Sequence, residues 1–238
     1  QLEDQLNIVY AKIRQTLNNM TYKGDVVDFQ TLLNNTLNEY NISINDSMSF
    51  KSLYQLVAIT SFSAFATNDY LKIEPFLINT YKSILEHKDI EKQLFYHIQI
   101  LYLIANTLFR NKKFNTSLQY LDLMHKYMHE KQKKHYNNFQ LKYNLLLSLN
   151  LNFTNKQDEA IETLTPLVNK KHTDIETLLD IRLSLVMFYF QENDLKKASH
   201  LFSKFYHTDK WYTEKAGKEW VIKKHLIEIL LHIELKNI

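Results

Sequence analysis

Apolar residues recur along this chain at i, i+3, i+4 and i+7, the spacing of one buried helix face. Short polar clusters interrupt the runs at Lys23-Gly24-Asp25, Asn68-Asp69, Asn111-Lys112-Lys113, Asn155-Lys156-Gln157 and Glu192-Asn193-Asp194. Each cluster therefore reads as the turn of a helical hairpin. First helices are expected near 2–22, 47–67, 89–110, 131–153 and 173–191, and second helices near 26–40, 74–87, 114–129, 157–169 and 195–207. A final long amphipathic helix is expected from Asp209 to Leu235, carrying Trp211, Trp220, Ile227 and Leu231.

Aligning the turns on Gly24, Asn68, Lys112, Asn155 and Asn193 gives separations of 44, 44, 43 and 38 residues. Apolar or small residues then fall at fixed offsets. Five residues after the turn stand Phe29, Ile73, Ser117, Ala160 and Ala198, and four residues further Leu33, Leu77, Leu121, Leu164 and Phe202. Before it stand Met20, Ala64, Leu108, Leu151 and Tyr189, preceded in the middle repeats by the small residues Ser61, Ala105 and Ser148. A fixed period of this length is the mark of stacked hairpins, because one hairpin cannot bury its own apolar face.

The expected repeats are 1–44, 45–88, 89–130, 131–172 and 173–208. Residues 209–238 form the first helix of a sixth repeat or a cap, with the turn at Lys236-Asn237, and the whole is drawn as one domain over 1–238. Asn41 to Ser47 reads as an inter-repeat loop, Thr173 with Glu176 as a capping box, and Pro75 as a first-turn proline. Pro166 is expected to kink or shorten the second helix of the fourth hairpin. The chain opens on Gln1 rather than Met, so a trimmed or processed chain is expected, and the register predicts that the natural sequence continues.

Composition supports helices: Gly and Pro number two each, too few for a fold of tight turns and strands. The net charge of +3 is too small for a dedicated nucleic-acid binder. Absence of Cys excludes disulfides, thiolate zinc sites and a cysteine nucleophile, and accords with a cytoplasmic location. The longest apolar stretches, such as Leu145 to Leu151, are too short to span a bilayer, so no membrane insertion is expected.

Leu103 to Leu121 and Leu185 to Phe202 resemble the tetratricopeptide repeat. The matching positions are Ala105, Leu108, Asn111, Phe114, Ser117 and Leu121, then Ser148, Leu151, Asn155, Ala160 and Leu164, then Tyr189, Asn193-Asp194, Leu195, Ala198 and Phe202. The period exceeds the family's roughly 34 residues, and its first-helix glycine and closing proline are missing. The resemblance implies an all-α, right-handed α-solenoid of stacked antiparallel helix pairs, about five hairpins plus a C-terminal helix. It also implies a concave face, built by the first helices, that holds a protein or peptide partner. On the third repeat that face would carry Gln99, Tyr102, Asn106, Phe109 and Arg110; on the fourth, Lys142, Asn152 and Phe153; on the fifth, Met187, Phe190 and Gln191. The alternative is that the helices curl the array until these side chains pack inside it.

The expected function is a non-enzymatic scaffold that binds a protein or peptide. The alternative is the sensor or effector-binding region of a larger regulator whose output domain lies elsewhere. No catalytic residue, cofactor or metal is assigned: no phosphate loop, nucleophile elbow or zinc-helix motif occurs. His125 and His129 have the i, i+4 spacing of a shared metal but lack a third ligand, and read as a solvated face. The run Lys131 to His135 reads as a solvated loop.

Overall fold

A computed structural model describes residues 2–39, 49–86 and 92–235. Among them the chain is all-helical, with twelve α-helices packed as neighbouring pairs and no strand. The helices are α1 (Leu2–Asn18), α2 (Phe29–Glu39), α3 (Phe50–Thr67), α4 (Tyr70–Leu85), α5 (Leu94–Arg110) and α6 (Phe114–Met128). They continue with α7 (Tyr136–Phe153), α8 (Gln157–Leu164), α9 (Ile175–Gln191), α10 (Leu195–Phe202), α11 (Asp209–Ala216) and α12 (Lys218–Glu234). Two compact units result: Gln1–Met20 with Asp25–His135, and Thr21–Gly24 with Tyr136–Ile238. The loop expected at Asn41 to Ser47 and the turn at Lys236-Asn237 lie outside the described residues.

All five residues used to align the turns have left-handed backbone: Gly24 at φ 75°, Asn68 at 55°, Lys112 at 59°, Asn155 at 59° and Asn193 at 58°. A left-handed residue stops a helix and turns its last carbonyls back onto the following amides. The amides of Lys113, Lys156 and Asp194 accordingly donate to the carbonyls of Leu108, Leu151 and Tyr189 at 2.8, 2.9 and 2.8 Å. The residue after each turn also opens the next helix: the carbonyls of Lys113, Lys156 and Asp194 accept from the amides of Ser117, Ala160 and Ala198. Those three small residues are fully buried, as are Leu77, Leu121 and Leu164 four residues beyond the series. Ser117 can stand where the later repeats have Ala because its Oγ donates to the Ala105 carbonyl at 2.8 Å, satisfying the hydroxyl inside the contact.

In the first unit, α1 packs on α3 and α3 on α5, while α4 and α6 each pack on α5. Val9 and Ile13 of α1 meet Ile59 of α3, with Tyr10, Leu17, Met20, Leu32 and Phe62 around them. In the second unit, α7 packs on α9, α8 lies against both, and α9 to α12 share a further cluster. Leu178, Ile181, Leu185 and Phe188 of α9 face Leu141 and Leu151, whereas Leu179, Leu183 and Val186 face Tyr212, Trp220 and Leu231. Because α9 is buried on two sides, it reads as an almost continuous apolar run; each such Leu or Ile contributes about 1.5–3 kcal/mol by leaving water.

Several element boundaries differ from expectation, among them the start of α5 at Leu94 and the end of α10 at Phe202. Helix α4 begins at Tyr70, capped by Asp69 accepting from the Lys72 amide, which puts Pro75 in the second turn rather than the first. Helix α9 is capped by Asp174, accepting from the Thr177 amide at 3.0 Å, not by Thr173. Helix α7 starts only at Tyr136, because Lys131, Gln132 and Lys133 all have positive φ. The expected helix from Asp209 to Leu235 is two helices, broken at Gly217. Pro166 does follow a short helix, since α8 ends at Leu164.

Gly217 has φ 88° and ψ 166°, a region open essentially to glycine alone. A Cβ there would also stand 2.9 Å from the Thr21 carbonyl oxygen. Gly217→Ala is therefore expected to destabilise the protein by about 1–3 kcal/mol, the cost of such a forced backbone. Lys112→Gly, which relieves a left-handed position, should leave stability unchanged or raise it by up to about 1 kcal/mol. Urea unfolding followed by circular dichroism measures both.

Candidate functional site

Gln99, Tyr102, Asn106, Phe109 and Arg110 recur at three- and four-residue spacing on α5, and together they form one strip of that helix. The first four are half-buried and Arg110 is exposed, while Ile98, Leu101, Ile104, Ala105 and Leu108 on the opposite side are buried. The Phe109 ring lies 5.8 Å from that of Phe114, across the hairpin turn. The Arg110 guanidinium sits 5.9 Å above the Tyr70 ring, so α4 helps to place it.

Next to Arg110, Asn111 joins the turn to α4. Its Nδ2 donates to Glu74 Oε2 at 2.7 Å and to the Tyr70 carbonyl at 3.2 Å, and Lys113 Nζ donates to Glu74 Oε1 at 2.6 Å. Partial burial pushes the Glu74 carboxyl up, but the hydrogen bonds from Lys113 and Asn111 outweigh it and hold the group below the usual carboxylate range. These bonds tie the turn that follows Arg110 to α4.

A row of aromatic rings crosses the first helices of the same unit. Tyr10 of α1 lies 6.4 Å from Tyr54 of α3 and 5.8 Å from Phe62, and Tyr54 lies 4.8 Å from Tyr96 of α5. All four rings are half-buried. Burial, then the neighbouring Tyr10, raises the Tyr54 hydroxyl well above the ordinary phenol value, so this hydroxyl acts as a neutral donor and acceptor. Sequence reasoning did not single out this row. A signal was present, because Tyr10 and Tyr54 both stand 14 residues before their turn residues, Gly24 and Asn68.

In the second unit, Lys142, Asn152 and Phe153 share one side of α7. Phe153 is exposed, Lys142 is half-buried, and Asn152 is buried with no protein hydrogen-bond partner for its Oδ1. Met187 and Phe190 of α9 are half-buried and pack on the cluster containing Tyr212 and Trp220, while Gln191 is exposed. The structure thus gathers the α5 residues into one accessible strip and sets Met187 and Phe190 against the core of their own unit.

His97 is buried, its Nε2 3.0 Å from the Tyr81 hydroxyl and its ring 4.2 Å from that of Tyr127. His129 Nδ1 lies 2.8 Å from the His125 carbonyl, and the two rings are 4.3 Å apart. Among the described residues, no group of three or more His, Asp or Glu side chains is placed to hold a metal ion, and no helix is long and apolar enough to cross a membrane.

Among its described residues, the chain is thus an all-helical protein of neighbouring helix pairs. No protein-family model, curated protein or solved structure matches it.

Burial pulls the His97 imidazole down from 6.5 to about 4. Below pH 6.5 the unfolded chain takes up a proton that the folded chain refuses, so stability present above that pH is lost as pH falls toward 4. The loss should reach about 3 kcal/mol at most, and His97→Gln should abolish this part of the pH dependence. Urea midpoints between pH 4 and pH 7 for both proteins provide the check.

Proposed function

We propose that this chain is a non-enzymatic scaffold that binds a protein segment or peptide along the first helices of its first unit. On this reading, the hairpins stack as a tetratricopeptide-like α-solenoid. The packing of α1 on α3 and α3 on α5, first helix on first helix, supports that arrangement.

The observation that carries the reading is the α5 strip, beside a turn tied to α4. Asn106 and Gln99 offer amide donors and acceptors to a peptide backbone, and Arg110 offers a guanidinium to a carboxylate. Tyr102, Phe109 and the Tyr54–Tyr96 pair supply rigid aromatic area. Rigid aromatics around a few polar anchors suit recognition of an extended chain, because little side-chain freedom is lost on binding.

Selection of a random peptide library on the 238-residue chain tests this directly. The expected result is a consensus peptide whose affinity falls at least tenfold, about 1.4 kcal/mol, in Phe109→Ala and in Asn106→Ala. A selection that yields no consensus, or a consensus bound equally by both folded variants, overturns the proposal.

A further inference from the structure

Helix α12 buries one face and carries a second, exposed apolar face opposite it. Its inner face is Trp220, Lys224, Ile227 and Leu231, all buried. The outer face repeats the same 4-3-4 spacing two residues on, with Ile222, Leu226, Ile229 and Ile233, and Leu230 beside them. These five side chains are 60, 57, 55, 51 and 42% exposed in that order. A helix that is apolar on one face buries it in its own domain, and a second apolar face needs a second cover.

We propose that the cover is the same face of a second copy of this chain, docked as an antiparallel, two-fold helix pair. The 4-3-4 spacing reads identically in both directions, so an antiparallel copy sets Ile222 of each chain against Ile233 of the other, and Leu226 against Ile229. A two-fold contact requires this self-complementarity, and alternating three- and four-residue steps are those of a helix-pairing seam. The charges agree. At 100° per residue, Lys223 and Glu234 fall on one edge of the stripe, at its opposite ends. Antiparallel pairing brings each Lys223 toward Glu234 of the second copy, whereas a parallel two-fold pair sets these edges on opposite sides of the seam and leaves them unmatched. Glu219 holds Lys223 at 2.7 Å along that same edge.

From Ile222 to Ile233 the seam is only about 16 Å long. It buries less than the roughly 800 Å² per partner of a standard interface, so the pair should form in the micromolar range rather than be permanent. The inference is independent of the peptide-binding reading, which concerns α5.

Sedimentation velocity of the 238-residue chain from roughly 1 to 200 µM reads the outcome. Expected is a concentration-dependent monomer–dimer shift, abolished by Leu226→Glu alone and by Ile229→Lys alone. An equimolar mixture of the two variants should restore it, because one of the two central contacts is then the original Leu–Ile pair and the other joins Glu to Lys. Both changes lie on the outer face, so circular dichroism should remain that of the parent. A chain that stays monomeric throughout overturns the proposal and leaves the stripe to a different occupant. A dimer insensitive to either variant, or a mixture that does not reassociate, overturns it as well.

Discussion

Everything in this architecture depends on how a first helix stops. In the hairpins that turn at Lys112, Asn155 and Asn193, one residue enters the left-handed region, the next amide reaches back to a carbonyl five residues earlier, and the second helix starts at once. The small residue of the second helix then lies in the space that this close return creates. Ser117, Ala160 and Ala198 are fully buried for this reason. The packing between hairpins thus rests on a backbone conformation within them.

That constraint was legible in the sequence because it demands particular residue types. Gly24, Asn68, Asn155 and Asn193 are the types that tolerate left-handed backbone, and the fixed offsets to Leu77, Leu121 and Leu164 followed from one period. Gly217 was less legible. The apolar spacing runs on across it from Trp211 through Trp220 to Leu231, so a pattern based on periodicity alone does not register the break. The late start of α7 was hidden in another way: Lys131, Gln132 and Lys133 carry no apolar periodicity, and their left-handed turn has no sequence signature of its own.

The α5 strip was legible as well, since a single helix face follows from three- and four-residue spacing. What lies beside the strip was not. The Tyr10–Tyr54–Tyr96 row depends on three helices meeting, and the Asn111–Glu74–Lys113 clamp spans two hairpins. On α9, the environment of Met187 and Phe190 depends on where the chain after Gly217 returns: Trp220 stacks on Tyr212 at 4.9 Å in the cluster these residues join. Spacing alone cannot separate a side chain facing solvent from one facing a later helix.

The tightness of the α5–α6 hairpin also bears on how the chain folds. Its helices are joined by three residues, Asn111 to Lys113, so the buried pair Ala105 and Ser117 is separated by only a dozen positions. Closing so short a loop costs little entropy, and contacts this local form early. On contact order, the α5–α6 pair, like the α7–α8 and α9–α10 hairpins with equally short connections, is a segment whose assembly depends little on the rest of the chain.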